Sequence, residues 1–294
     1  MPKVVSARRP QLKPKLGQHF LASDSYAREI VDALGELSQS TVLEIGPGRG
    51  ILTSLLAKRT RRLIAVELDR VLAAQLRLKF GMYSNVEIIE ADILTIDFDS
   101  LFGPKPGLGR PGIEFKPVPA KVVGNLPYYI TSEILLRLFD YAKYFETLVV
   151  MVQKEVADRV AAKPGSRDYG LLSATAQLYA QVEKLNVVPP GAFSPPPKVD
   201  SAVLRLTMAP RQQELGLLGN GHSEAATNNG FINFLKLSFA QRRKTLWNNL
   251  KSAYPEKTLR SALQAARIKP AVRAEALTLE ESAALYRALR DDRV

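Results

Sequence analysis

From residue 41 the chain alternates short apolar runs with longer amphipathic stretches. TVLEIG, ILTSLLAKR, RLIAVEL, RVLAAQLRLKF and VEIIEAD follow one another, and AKVVGNL, SEILLRLF and TLVVMVQ resume the rhythm further on. Runs of about five to seven residues rich in β-branched side chains, separated by segments of helical period, predict a parallel sheet covered by helices on both faces. The expected fold class is a doubly wound α/β domain. Two further candidate strands, QVEKLNVV and DSAVLRLTM, have only the proline-rich PPGAFSPPPK between them. No crossover helix fits in that link, so the pair predicts an antiparallel edge on an otherwise parallel sheet.

Two segments break the rhythm. Residues 103–119 hold nine Gly or Pro in 17 positions, and residues 209–230 are polar and rich in Gly and Asn. Neither pattern supports regular structure, so the first reads as an exposed insertion and the second as a linker. Beyond it the period is helical again, through FINFLKLSFAQ, RKTLWNNLKSAY, KTLRSALQAARI and TLEESAALYRALR. Thr278 opens the last of these with Glu281 three residues on, the spacing of a capping box. The expected organisation is an arm over 1–15, an α/β domain over 16–208, the linker over 209–230 and a small all-helical domain over 231–294.

Composition narrows the class. The 294 residues are 46% hydrophobic, enough for a sizeable core. No window approaches the roughly 18 consecutive apolar residues of a membrane span, and the N-terminal stretch MPKVVSARRPQLKPK has no secretory h-region, so a cytoplasmic location is expected. There is no cysteine, and the histidines are only His19 and His222, which disfavours disulfides and a zinc centre. The net charge is +12, and it is unevenly placed: residues 1–15 carry five basic groups and no acid, residues 205–294 carry 15 basic against 8 acidic, and residues 16–204 carry 21 of each. A neutral body with basic ends suits a polyanion such as nucleic acid, the plainer alternative being solubility.

The chemistry-bearing residues fall at strand ends. VLEIGPGRG places Glu44, Gly46, Gly48 and Gly50 where the first strand turns into its helix. Glycines there let the backbone approach a ligand lying across the carboxyl ends of the strands. A dinucleotide fingerprint needs glycine at the position of Ile51, so the G-x-G-x-G pattern disfavours NAD and remains compatible with a methyl donor that has no pyrophosphate. Glu67 ends LIAVEL, where an acid can accept from both ribose hydroxyls, and Asp92, followed by Ile93, sits where a carboxylate can accept from an adenine amino group. Taken singly each acid also reads as a helix cap or turn residue. Together they point to a cofactor carrying adenosine.

At the next strand tip stands NLPYYI. Methylation of an adenine amine requires acceptors for its N–H groups, because its lone pair is delocalised into the ring. Asn125 offers a side-chain oxygen, and Leu126, restricted by Pro127, offers a carbonyl aimed in a fixed direction. Tyr128 offers a flat face for an extruded base, worth roughly 1–3 kcal/mol. Phe193, on the stiff AFSPPPK loop, suits the opposite face of the base. Tyr129 and Ile130 read as structural. The alternative for NLPY is a proline turn that closes a strand.

LGQHFL, EIGPGRG, VELD, EADIL, NLPYYITSEIL, FSPPPKVDSAVLRL and FAQRRKTLWNNL, in this order from about residue 12 to about residue 290, resemble the ribosomal RNA adenine dimethyltransferase family, and most closely its small-subunit members. The resemblance implies a Rossmann-like class I methyltransferase sheet, S-adenosylmethionine as cofactor and no metal. It also implies N6,N6-dimethylation of two adjacent adenosines in the 3′-terminal hairpin loop of 16S rRNA within an assembling small subunit, by a monomer. His19 and Leu21 would then contact the methyl donor beside Gly46, Gly48, Glu67, Asp92, Ile93 and Asn125. Asn125, Leu126, Pro127 and Tyr128 would hold the target adenine with Phe193 opposite. Members of the family often carry Asn at the position of His19, so a backbone contact is expected there. The insertion and the linker depart from the family pattern without touching a motif, and FAQRRKTLWNNL favours the 16S enzymes over relatives that methylate 23S rRNA.

Overall fold

The computed structural model describes residues 19–103, 118–217 and 224–291, so the basic arm and nearly all of the 103–119 insertion lie outside the described residues. In chain order the first half comprises β1 (Phe20–Leu21), α1 (Asp24–Asp32), β2 (Thr41–Ile45), α2 (Ile51–Leu56), β3 (Arg62–Glu67), α3 (Arg70–Phe80), β4 (Val86–Glu90), α4 (Phe98–Phe102), β5 (Ala120–Asn125) and α5 (Thr131–Asp140). Then follow β6 (Phe145–Gln153), α6 (Lys154–Val160), α7 (Leu171–Tyr179), β7 (Ala180–Val188), β8 (Phe193–Ser194) and β9 (Ser201–Met208). The chain ends in α8 (Glu224–Ser238), α9 (Leu246–Leu250), α10 (Glu256–Ala265) and α11 (Leu279–Asp291).

Seven strands form one sheet in the order β4-β3-β2-β5-β6-β9-β7. The first five are parallel, and β9 runs antiparallel to both β6 and β7, as the short proline-rich link requires. The order reverses between β2 and β5, which opens a crevice beyond their carboxyl ends. A separate two-stranded ladder joins β1 to β8, with Phe20 opposite Ser194 and Leu21 opposite Phe193.

Alternation along the strands divides the core. Leu43, Ile45, Ile64, Val66 and Val122 turn to one face, and Val42, Leu63 and Val123 to the other, where α1, α2 and α3 cover them. Asp69 caps α3 by accepting from Val71 N at 2.8 Å and Leu72 N at 3.1 Å, so the chain leaves β3 directly into a helix. The first cluster continues without a break into the C-terminal helices through Phe231, Phe234, Leu250, Leu263 and Leu285. The stretch read as a linker takes part in this packing. Leu215 and Leu217 are buried, Arg211 pairs with Glu214 and Glu280 at 2.7 Å each, and α8 begins at Glu224. The capping box of α11 forms as its spacing predicts: Glu281 N donates to Thr278 Oγ1 at 3.2 Å and Thr278 N to Glu281 Oε2 at 2.9 Å.

Among the described residues, one non-glycine position has a positive φ. Arg267 follows α10 with φ 57°, and the bonds Ile268 N to Leu263 O (2.9 Å) and Arg267 N to Gln264 O (3.0 Å) complete a Schellman motif that favours glycine there. Arg267→Gly is expected to raise stability by about 0.5–1 kcal/mol in urea unfolding, the gain from relieved strain exceeding the entropy that glycine adds to the unfolded chain.

Candidate active site

The ends of β2, β3 and β5 and the turn after β4 meet in one cleft. After β2 the glycine turn takes φ values of 65° at Gly46, 57° at Gly48 and 79° at Gly50. A Cβ on Gly48 would stand 2.7 Å from the Phe20 ring, so the turn and the N-terminal strand touch only because no side chain is there. The guanidinium of Arg49 lies 4.7 Å from the centre of that ring. Glu67 is 3% exposed and is held from two sides, Oε2 accepting from Gly48 N at 3.0 Å and Oε1 from Asp69 N at 2.9 Å. These bonds leave each oxygen a further lone pair for a ligand hydroxyl. Asp92 accepts from Leu94 N with Oδ1 at 2.9 Å, and its Oδ2 has no partner among the described residues.

Asn125 is oriented by chemistry rather than by chance. Its Nδ2 donates to the carbonyl of His19 at 2.8 Å, and a carbonyl can only accept, so the amide oxygen must point away. That oxygen is buried and has no hydrogen-bond partner. Leu126 N donates to Met151 O at 2.9 Å, while no described donor reaches the Leu126 carbonyl. Pro127 is pinned in turn, its carbonyl accepting from Ile130 N at 3.2 Å and Thr131 Oγ1 at 2.9 Å. Tyr128 is half-buried, and burial pushes its phenol above the usual range against the opposing effect of a bond to Ser201. The His19 ring lies 6.0 Å from the Tyr128 ring at 28°, and its Nδ1 stands 2.9 Å from the Pro195 carbonyl.

Of the residues singled out in the sequence, His19, Gly46, Gly48, Glu67, Asp92, Ile93, Asn125, Leu126, Pro127 and Tyr128 all line the cleft. Leu21 and Phe193 do not. Cross-strand pairing in β1 and β8 sets them opposite each other, 6% and 4% exposed, in the apolar cluster that contains Val31, Val149 and Val203. The expectation that Phe193 covers a base therefore does not fit this conformation. Tyr129 and Ile130, read as structural, form part of the cleft wall, with Tyr129 61% exposed at its mouth. Phe20 and Leu68 also line it, and the G-x-G-x-G turn was a signal for the first, since a glycine with no side chain invites close approach.

The fold agrees with the comparisons. A family model described as ribosomal RNA adenine dimethylase matches residues 9–291. The chain belongs to this family. It is 53% identical over 292 residues to the ribosomal RNA small subunit methyltransferase A of Koribacter versatilis, covering 99% of each chain. The corresponding protein of Geobacillus thermodenitrificans is 40% identical, with 94% of this chain and 90% of the relative covered. Among solved structures, a dimethyladenosine transferase from Plasmodium falciparum superposes with a TM-score of 0.71 at 23% identity, over 94% of this chain and 99% of the other. The 23S rRNA methyltransferase ErmE gives 0.62 at 27% identity, over 92% and 99%. The dimethylase is thus an enzyme of the class I methyltransferase fold, and S-adenosylmethionine is its methyl donor.

The cleft of this dimethylase fits that donor. Glycine replaces side chains where the turn faces the cleft, Glu67 and Asp92 present spare acceptors toward it, and Ile45, Val66, Ala91 and Ile93 make the wall between them apolar. An adenosine group needs this combination of a flat apolar slot and polar groups at its edges.

Proposed function

We propose that this enzyme dimethylates N6 of two adjacent adenosines in the 3′-terminal hairpin loop of 16S rRNA, acting as a cytoplasmic monomer on assembling small subunits. The observation that carries the reading is the buried, unpartnered Oδ1 of Asn125, fixed in direction by the His19 carbonyl. A buried acceptor left without a donor costs about 1–3 kcal/mol, and an incoming amine relieves that cost. S-adenosylmethionine, when bound, supplies an electrophilic methyl group on a sulfonium.

The chain's own residues do the rest. Asn125 Oδ1 and the Leu126 carbonyl accept the two amine hydrogens and draw the nitrogen toward tetrahedral geometry, which frees its lone pair. Pro127 holds the carbonyl in place, and Tyr128 stacks the base extruded from the loop. Glu67 binds the ribose hydroxyls of the donor, Asp92 its adenine amine, and Gly46 and Gly48 let the backbone approach it. No general base is needed, because the alkylated amine is acidic and loses its proton to water.

Residues 231–294 serve as the rRNA-binding domain. Positions 231–273 carry ten basic residues and one acid, and the exposed Arg243 and Lys244 have no side-chain partner among the described residues. Such a face gains affinity from phosphates without reading sequence. Labelled methyl donor supplied with small subunits from a strain lacking this methylation is expected to yield N6-dimethyladenosine, with large subunits giving none. Label on large subunits alone, or on no adenine, overturns the reading.

A further inference from the structure

Tyr128 lines the cleft, and its hydroxyl meets Ser201, which does not. The phenol oxygen lies 2.5 Å from Ser201 Oγ, across 73 residues of sequence. Ser201 is fully buried, the first residue of β9, placed between Gln153 of β6 and Val188 of β7. Its immediate successors Ala202, Val203 and Leu204 are apolar and buried, so this hydroxyl is the polar exception at the head of an apolar strand. A half-buried tyrosine can leave its hydroxyl to water; here the fold brings a buried side chain from the antiparallel edge to meet it.

The consequence is geometric. The phenol oxygen lies on the axis about which a tyrosine ring turns at χ2, so a bond there fixes χ1, and with it the direction of the ring's long axis, on a backbone that Pro127 restrains. We infer that Ser201 is a positioning residue for methyl transfer: its hydroxyl anchors the far end of the Tyr128 ring and thereby the place at which the target base stacks before Asn125. This rests on the assignment of Tyr128 as the stacking face. The His19 ring at 6.0 Å leaves less than the roughly 7 Å that a base needs between two parallel rings. A base that stacks on this face of Tyr128 displaces the His19 imidazole, while Tyr128, held by Ser201, keeps its place.

The test is a double-mutant cycle on the full-length enzyme with unmethylated small subunits. Ser201→Ala and Tyr128→Phe each remove one side of the bond and keep the ring, and each is expected to lower kcat/KM for subunits about tenfold, the kinetic equivalent of one hydrogen bond. Binding of S-adenosylmethionine, measured by calorimetry, is expected to stay at the wild-type Kd. The double variant is expected to lose no more activity than either single one. Its thermal midpoint is expected to recover toward wild type, because neither partner is then left unsatisfied; a purely structural role would restore activity together with stability. Wild-type kinetics in either single variant, or losses that multiply in the double, overturn the inference. Asn125→Ala in the same assay separates the two levels: if it stops transfer while the cycle is silent, only the role of Ser201 falls, and if it transfers normally, the reading of the whole site falls with it.

Discussion

Asn125→Ala is expected to lower kcat for adenine methylation by about a hundred- to a thousandfold, the usual loss when one preorganised hydrogen-bonding group is removed from a reacting centre. The enzyme loses the acceptor that pulls the amine out of conjugation, and no neighbour replaces it, since the Leu126 carbonyl points from a backbone that Pro127 has fixed. Affinity for S-adenosylmethionine is expected to change only a few-fold, because the acceptors of Glu67 and Asp92 lie elsewhere, at the end of β3 and on the turn after β4. Asn125→Asp is the sharper companion. An ionised carboxylate cannot donate to the His19 carbonyl, so the variant keeps the shape of the amide and loses its orientation. Single-turnover methyl transfer with calorimetric donor binding reads both effects. Activity within about threefold of wild type in Asn125→Ala would show that the amine is not held by this oxygen.

The legible parts of the molecule were those whose signal is local. Parallel strands buried on both faces write continuous apolar runs into the sequence, and an antiparallel edge follows from a link too short for a helix. Helix α7 was missed for a physical reason: Leu172, Ser173, Ala174, Thr175, Ala176, Leu178 and Tyr179 are all buried, so the helix has no polar face and no amphipathic period to detect. The cleft itself was readable because each motif residue stands at the end of a recognisable strand. Phe193 is buried rather than turned to the cleft because its side-chain direction is set by a partner far away in sequence, Leu21. No local pattern carries that information. The stretch 209–230 looked like a linker by composition, yet Leu215 and Leu217 are buried and Arg290 of α11 donates to the Leu217 carbonyl.

Glu44 is the other residue whose surroundings exceed what its motif announces, and replacing it is expected to change the pH dependence of folding. It occupies the middle of β2, 1% exposed, with Ala65 and Val123 as cross-strand neighbours. Burial pushes its carboxyl up to about 8; Thr53, the nearest hydroxyl and amide, and Lys79 oppose the shift, while the charge of Glu67 adds to it. Neither carboxyl oxygen nor the Thr53 hydroxyl completes a well-formed hydrogen bond. In the native protein Glu44 is thus a neutral acid at pH 7, whereas in the unfolded chain it ionises near 4.5. The folded state binds the extra proton, so this group's contribution is full below about pH 4.5 and is lost as pH rises to about 8, at about 1.4 kcal/mol per pH unit. Glu44→Gln keeps the shape and removes the titration. Urea unfolding is expected to show the variant within about 1 kcal/mol of wild type near pH 5 and more stable by a few kcal/mol near pH 9. Parallel stability profiles for the two proteins across that range would mean that Glu44 ionises alike in the folded and unfolded chain, which a carboxyl sealed between two strands and a helix has no solvent to support.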